Sequence, residues 1–447
     1  MPSPSRPATL QVADQEARTE AGAASPSPKQ RPSTLRALGL GLITGAADDD
    51  CSAIGTYAAA GARIGPAFLW TAPVLFPMMF AVVYLSSKVG AVSGRGLFHA
   101  IRDFYPRWIL YPTLIGVLIG NAIEAGADLG GMAAALNVLV PIPFQLTVLA
   151  SAATVLTLQL VGSYSFIRNT FRWLALALLA YIPAALLARP DVGAVLAGTF
   201  IPTLQFNADY LALLVAVIGT SLSTYLYTWQ SNEEVEEEIA IGRTTLEARE
   251  GATDAELKHS QRDVAAGMFF STLIMYFIIL ATGSTLFRTG QHDVTTTADV
   301  VQALRPVAGD AAGILFALGV VGVGLLAVPV MTTGAAYNLA QTFGWKHGLS
   351  VRPREAKKFY ATIVVFTLLG VGMNFFGLNP MRFLVWSGVV QGFSTPPLML
   401  LIMLMTTNRR VMGGRVNGRA LNLLGWATTA LIFAASLGLV VTLFWNR

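Results

Sequence analysis

Three consecutive aspartates, Asp48–Asp50, stand in the middle of an apolar stretch that runs from Leu35 to about Trp70. A charge at the centre of a bilayer costs at least about 2.5 kcal/mol, so such carboxylates face a cavity, a partner or an ion. Gly45 and Gly55 flank the acids and favour non-helical backbone, which is tolerated at membrane depth only where it lines protein or water. The stretch predicts either a polar loop between two short hairpin helices or, as we favour, a broken helix that forms a cation site.

The composition of the rest of the chain is that of a polytopic membrane protein. Of 447 residues, 54% are apolar and only 12% are charged, whereas a soluble domain carries roughly 25% charged residues. Spanning helices need roughly 20 apolar residues each, and eleven segments qualify. They fall near 36–60, 66–88, 108–137, 143–163, 170–189, 207–230, 264–287, 311–343, 357–377, 381–405 and 421–445.

The basic residues predict how these segments are oriented. With a cytoplasmic N-terminus, 24 of the 30 lysines and arginines fall on the cytoplasmic side, as the positive-inside rule requires. The net charge of +5 therefore reflects topology and predicts no nucleic-acid partner. Residues 1–34 are rich in Pro, Ser, Ala and Arg and are predicted to be a disordered cytoplasmic tail. The composition suggests the inner (cell) membrane of a bacterium.

A second polar interruption divides the remaining chain, 35–447, into two halves of one transporter domain. Segment six is broken by the polar run Gly219–Ser231, five spans after the aspartates. Matched breaks in two five-span halves indicate inverted repeats around a midplane site. We assign repeat one to about 36–189, repeat two to about 207–405 and an extra helix to about 421–445. The alternative is that the serines and threonines of segment six only bond their own backbone.

Both interruptions resemble motifs of the Nramp family of divalent-metal transporters, and most closely those of its magnesium-transporting branch. The residues concerned are Asp48-Asp-Asp-Cys-Ser-Ala-Ile-Gly-Thr-Tyr57 and Trp229-Gln230 with Glu233-Glu-Val-Glu-Glu-Glu238. The resemblance implies an all-α LeuT-type fold with two inverted five-helix repeats, broken helices 1 and 6, and an eleventh helix.

The resemblance also implies which residues meet the metal. Asp50 matches the metal-binding aspartate, and Thr220 stands where a backbone carbonyl ligates. Ala53 replaces an asparagine ligand, Ser223 replaces the methionine, and Tyr225 replaces a histidine associated with proton handling. The last substitution brings Nramp-like proton coupling into question.

The ligand chemistry of this set favours hard cations. Methionine sulfur selects transition metals, whereas carboxylates, hydroxyls, carbonyls and water suit Mg²⁺ and Mn²⁺. We expect Asp50 to ligate directly, with Ser223 and Thr220 beside it, and Asp49 to line the vestibule or bind through water. Cys51 is the only cysteine. It is either a buried apolar thiol, which we favour, or a soft ligand that would allow Mn²⁺, Zn²⁺ or Cd²⁺ as substrates.

Two further spans carry polar side chains. Asn121, Glu124 and Asp128 share one helical face by their spacing, and predict either a proton relay or a vestibule network. Gln391 in segment ten either orients a metal-bound water or bonds a neighbouring helix. The acidic run Glu233–Glu238 is either a solvated face or an attractor of cations at the inner mouth.

These features predict a secondary transporter of divalent cations that works by alternating access, most suited to Mg²⁺ with Mn²⁺ accepted and with weak or no proton coupling. The alternatives are a proton-coupled Mn²⁺/Fe²⁺ symporter, a cation channel and, from another substrate class, an amino-acid carrier, which three aspartates at the site disfavour. No catalytic motif is present, so we expect no enzyme activity and no cofactor. The predicted partners are the metal ion, the lipid bilayer and, in the symporter alternative, protons. The sequence gives no oligomeric state.

Overall fold

A computed structural model describes residues 40–161, 176–303, 312–349 and 351–445, together with positions 305 and 309. All regular secondary structure in these ranges is helical. The first half contains α1 Leu40–Asp48, α2 Cys51–Ile64, α3 Thr71–Ser93, α4 Leu97–Phe104, α5 Arg107–Leu139, α6 Phe144–Val161, α7 Tyr181–Leu187 and α8 Val192–Phe200. The second half contains α9 Ala208–Ser221, α10 Thr224–Ala240, α11 Asp254–Thr285, α12 Ala312–Phe343, α13 Lys357–Met373, α14 Pro380–Thr407 and α15 Arg419–Trp445.

The first predicted break is present. Helix α1 ends at Asp48, and α2 begins at Cys51 with Asp50 as its N-cap residue. Asp50 has extended backbone (φ −63°, ψ −179°), and its carboxylate accepts the Ala53 amide at 2.7 Å. An aspartate is a preferred N-cap because its oxygen satisfies an amide that has no partner inside the helix. Asp49 and Asp50 therefore separate the two helices, and Asp50 starts the second one.

The second predicted break is present as well. Helix α9 ends at Ser221, and α10 begins at Thr224 with Ser223 at its N-cap position. Leu222 (φ −123°, ψ 39°) and Ser223 (φ −64°, ψ 138°) leave the helical region. The polar residues of segment six thus interrupt the helix instead of only bonding within it.

Close contacts between backbones bring each broken helix against a neighbour. A Cβ atom on Gly45 of α1 would lie 2.2 Å from the carbonyl oxygen of Gly267 in α11. A Cβ atom on Gly219 of α9 would lie 2.0 Å from the carbonyl oxygen of Gly388 in α14. Only glycine fits at either crossing, so both broken segments are held near their breaks by close helix packing.

The outer surface is suited to lipid. Seven helices among the described residues are long and apolar enough to cross a membrane, and large apolar side chains such as Ile119, Leu318 and Leu423 are exposed on them. Trp108, Phe206 and Phe376 lie exposed next to helix ends, as aromatic residues do at a membrane interface. The chain is an all-α polytopic membrane protein.

The other topological predictions stay predictions. The predicted count of eleven spans includes broken and shorter helices that are individually too short to be counted among the seven membrane-spanning helices. Part of the segment near 170–189 lies outside the described residues. The predicted tail, 1–34, also lies outside them.

Candidate metal site

Asp50 lies at the centre of the site, where the two breaks meet. Its Oδ1 accepts the Ser52 hydroxyl at 2.9 Å in addition to the Ala53 amide, and its Oδ2 lies 3.0 Å from the Tyr225 hydroxyl. Tyr225 is the second residue of α10, so this contact joins α10 to the first break. Asp50 is completely buried.

Ser52 connects the first break to the second. Its hydroxyl lies 3.1 Å from that of Thr220 on α9 and 3.3 Å from Oε1 of Glu124 on α5. Its amide donates to Oδ1 of Asp128 at 3.0 Å. Through this one residue the structure brings together Asp50, Thr220, Glu124 and Asp128.

Glu124 is the second carboxylate at the meeting point. Its Oε1 accepts a hydrogen bond from the Ser223 hydroxyl at 3.0 Å. Its Oε2 accepts a hydrogen bond from Nε2 of Gln391, which lies on α14. The side-chain oxygen Oε1 of Gln391 accepts hydrogen bonds from the hydroxyls of Thr224 at 3.1 Å and Ser394 at 2.8 Å. Gln391 therefore bonds the neighbouring helices α5 and α10, and it fixes the position of the Glu124 carboxylate; its role towards a metal-bound water stays a prediction.

Asp48 and Asp49 belong to a neighbouring cluster on the α11 side. The Ser271 hydroxyl lies 2.5 Å from Oδ2 of Asp48 and 3.2 Å from Oδ1 of Asp49. The other oxygen of each carboxylate is buried without a hydrogen-bond partner. Asp49 thus lies beside the break but is held by α11, whereas Asp50 is held by α2 and α10.

No basic side chain of the described residues forms an ion pair with these acids. Asp48, Asp49, Asp50, Glu124 and Asp128 are all completely buried. Among the described residues, the ion pairs with lysine, arginine or histidine involve other carboxylates. An ionised carboxylate buried without a positive partner is costly, so a bound cation would stabilise this arrangement. In the conformation described, no three Asp, Glu, His or Cys side chains of the described ranges converge on one point as a ready-made metal cage.

Cys51 packs away from the hydroxyl-lined centre. Its thiol donates to the Val320 carbonyl oxygen at 3.5 Å, and it contacts the positions of Gly131 and Gly324 closely. These contacts support its interpretation as a small buried thiol.

The acidic run after segment six is not a simple solvated face. Glu234 accepts the hydroxyls of Ser87 at 2.6 Å and Ser260 at 3.1 Å, and Glu236 accepts the Tyr337 hydroxyl at 2.6 Å. The run therefore joins α10 to α3, α11 and α12.

Several residues of the site were missed by sequence reasoning. Ser52 and Ser271 make the central contacts, yet serines are common in membrane helices and carry no spacing signal. Asn121, found by its helical face, accepts the Thr224 hydroxyl at 3.4 Å. The one available signal for Ser271 was its position as a hydroxyl inside an otherwise apolar span, and that signal does not identify its partners.

Two broken helices that meet around buried carboxylates define an α-helical membrane transporter of the inverted-repeat class. The chain belongs to the Nramp family: the family model described as "Natural resistance-associated macrophage protein-like" matches residues 41–442. The predicted family is confirmed, and the family relatives described below are transporters, not enzymes.

Curated relatives cover most of the chain. It is 28% identical over 402 residues to the "Divalent metal cation transporter MntH" of Deinococcus radiodurans, covering 89% of this chain and 87% of that protein. It is 25% identical over 423 residues to the protein of the same description in Bacillus subtilis, covering 91% and 92%.

Solved structures support the same fold. A crystal structure of the Eremococcus coleocola manganese transporter superposes with a TM-score of 0.69 at 16% identity, covering 93% of this chain and 88% of that one. MhsT in complex with L-phenylalanine superposes with a TM-score of 0.60 at 14% identity, covering 94% and 99%. At these identities the likeness concerns the fold alone, and it confirms the predicted LeuT-type architecture.

Proposed function

We propose that this protein carries a divalent metal cation across a bacterial membrane by alternating access, with Asp50 as the central ligand. One observation carries the proposal: the two helix breaks meet through Ser52 around Asp50 and Glu124, which have no basic partner in the part of the chain that the structure describes. The rest of the ligand set is Ser223, Thr220 and, through water, Asp49 and Gln391. All of these groups offer oxygen, which hard divalent cations prefer.

Mn²⁺ is the first candidate cargo. The curated relatives are described as divalent metal cation transporters and the structural neighbour as a manganese transporter, which supports Mn²⁺ above our first expectation of Mg²⁺. An oxygen-rich site accepts Mn²⁺ readily. With Mn²⁺ we associate proton symport, for which Glu124 and Asp128 are the candidate acids.

Mg²⁺ remains the second candidate on a specific observation. Ser223, which stands at the position of the family's methionine, gives its hydroxyl to Glu124 at 3.0 Å, and Ala53 offers no side-chain ligand. The set therefore has no soft donor at these two positions, and Mg²⁺ commonly keeps several waters beside one or two carboxylates. Weak or absent proton coupling belongs with this candidate.

The test is metal uptake into proteoliposomes, with Mn²⁺ and Mg²⁺ supplied separately and a dye reporting internal pH. Asp50→Asn is the informative variant because asparagine also caps helices well, so it removes the charge and keeps the start of α2. Asp209→Asn, an exposed acid paired with Arg63, is the matched control. We expect Mn²⁺ uptake with acidification in the natural chain and in the control, and loss of both in Asp50→Asn.

The other outcomes are equally informative. Mg²⁺ uptake without acidification, lost in Asp50→Asn, would replace the Mn²⁺ symporter by the uncoupled carrier. Uptake that is unchanged in Asp50→Asn would refute the site. Single-channel currents in planar bilayers would favour the cation channel over a carrier. The cytoplasmic N-terminus, the eleven spans and the repeat boundaries are part of the same proposal, and protease protection of the tail tests the first of them.

A further inference from the structure

Three deeply buried asparagines carry amide atoms without a hydrogen-bond partner. The atoms without a partner are Oδ1 and Nδ2 of Asn338, Nδ2 of Asn121 and Nδ2 of Asn232. Asn338 and Asn121 are completely buried, and Asn232 is 2% exposed. Buried amides in proteins are normally paired with protein groups or with ordered water, so this concentration on three neighbouring helices needs a reason.

Asn232 and Asn338 lie on α10 and α12, which pack against each other, and Asn121 lies on the neighbouring α5. On α12, Asn338 stands four residues after Gly334 and three before Gln341, so these positions share a helix face. A Cβ atom on Gly334 would lie 3.5 Å from the Thr228 hydroxyl of α10 and 3.9 Å from Nδ2 of Asn121 on α5.

One turn further along α10 and two turns further along α12, Nε2 of Gln341 donates to Oδ1 of Asn232 at 2.6 Å. Asn338 therefore lies between the Thr228–Gly334 contact and the Asn232–Gln341 bond. We call Asn121, Thr228, Asn338 and Asn232 the amide file.

The amide file starts at the candidate metal site. The side-chain oxygen Oδ1 of Asn121 accepts a hydrogen bond from the Thr224 hydroxyl at 3.4 Å. Thr224 also donates to Gln391 at 3.1 Å, and Gln391 donates to Glu124. The file ends at α4, on the side that the sequence predicts to be cytoplasmic. There Arg102, whose side chain is 32% exposed, donates to the Gln341 carbonyl oxygen at 2.6 Å.

We propose that the amide file holds a row of ordered waters that connects the candidate metal site with the solution at the α4 end. Polar, buried amides that lack protein partners are the sites where structural waters bind, with two to four hydrogen bonds each. All four side chains are neutral, so they do not compensate a divalent charge, whereas waters held between donors and acceptors pass protons.

That the file begins at a metal site rests on the proposed function, but the presence of water in the file does not. The file lies on the α12 side of α10, away from the contacts of Glu234 with Ser87 and Ser260 on α3 and α11. It is therefore a route distinct from any that runs along α1, α3 and α11.

Cysteine labelling tests for water directly, without transport. Asn338→Cys and Asn232→Cys are compared with Thr332→Cys, which is on the same helix as Asn338 but bonds Gln159 of α6 and its own backbone. The natural chain, with buried Cys51, sets the background. Because thiols react as thiolates in contact with water, we expect aminoethyl methanethiosulfonate to modify the first two about tenfold faster than Thr332→Cys. Equal rates would overturn the proposal.

Asn338→Leu supplies a second measurement. Because leucine removes two amide atoms that have no protein partner, we expect an unfolding temperature no lower than that of the natural chain, with slower proton entry in proteoliposomes. Thr332→Val, which loses real hydrogen bonds, is the stability control. A fall in unfolding temperature as large as that of Thr332→Val, or proton entry at the natural rate, would overturn the proposal. Absence of metal transport in the natural chain would refute the proposed function. The labelling result would then still show whether the amide file holds water.

Discussion

The Tyr225 hydroxyl lies 3.0 Å from Oδ2 of Asp50 and 2.8 Å from the carbonyl oxygen of Ala47, and thus bonds α10 to both sides of the first break. The carbonyl oxygens at the end of α1 have no partner inside that helix. The hydroxyl of Tyr225 is therefore a hydrogen-bond donor both to the end of α1 and to the acid that caps α2. This position, which in the resemblance belongs to a histidine, is held here by a group that links the two broken helices.

We expect Tyr225→Phe to destabilise the metal-free protein by about 1–3 kcal/mol, because it leaves buried acceptors without their donor. Added Mn²⁺ should then raise the unfolding temperature more in the variant than in the natural chain, since the cation takes over as partner of Asp50. Tyr181→Phe is the matched control, because the buried Tyr181 hydroxyl has no hydrogen-bond partner. Thermal unfolding in detergent with and without metal measures both; equal metal shifts would contradict the prediction.

Glu124→Gln keeps the size of the side chain and removes its charge. If Glu124 is the proton-accepting group, Mn²⁺ uptake should continue at a reduced rate while the accompanying acidification disappears. Internal-pH and metal dyes read in the same vesicles check this, with the exposed Glu247→Gln as control. Acidification at the natural ratio to metal would assign the proton elsewhere, with Asp128 as the next candidate because it accepts the Ser52 amide.

Ser223→Met introduces the soft sulfur that the family resemblance places at this position. Because thioether ligands favour soft transition metals, we expect Cd²⁺ to compete for uptake about tenfold better and Mg²⁺ flux to fall, a shift of roughly 1.4 kcal/mol. Ser223→Ala separates the gain of sulfur from the loss of the hydroxyl bond to Glu124. The same cation preference in Ser223→Ala and Ser223→Met would show that sulfur plays no part.

Gly45→Ala should disrupt the crossing of α1 and α11. Its Cβ would lie 2.2 Å from the Gly267 carbonyl oxygen, whereas nothing lies within 4 Å of the corresponding atom at Gly116. Overpacking of this kind costs about 1–3 kcal/mol, so we expect a lower unfolding temperature for Gly45→Ala. Gly116→Ala, in the interior of α5, should be neutral or stabilising by about 0.5–1 kcal/mol. A stable Gly45→Ala protein would mean that α1 is displaced from α11 in solution.

His99 on α4 gives the protein a defined response to acid. Burial lowers the pKa of its imidazole to about 4 from 6.5, although Asp103, 3.3 Å away, acts in the opposite direction. The unfolded chain therefore binds this proton more tightly than the folded one, and stability falls as pH drops from 6.5 towards 4. We expect His99→Gln to lose less stability than the natural chain over this range. Parallel unfolding curves at pH 6.5 and 4.5 are the measurement, and identical losses would contradict the assignment.

The sequence by itself determined the membrane class, the family and the two helix breaks. Asp48–Asp50 and the polar run at Gly219–Ser231 stand out because hydrocarbon penalises charge and unpaired backbone wherever they occur. That penalty is local, so it can be read from a window of residues. The glycine and serine content next to each acid or hydroxyl indicated where the helices would stop, and the structure has both breaks there.

The tertiary structure alone decided which polar groups meet. Spacing put Glu124 and Asp128 on one face, but only the packing of α5 against the first break brought Ser52 to both of them. Ser271 and Asn338 sit in apolar helices with no distinguishing pattern, yet one separates Asp48 and Asp49 from Asp50 and the other lies between α10 and α12. Hydrogen bonds between helices depend on relative rotation and depth, which long-range packing sets and which no local stretch of sequence encodes.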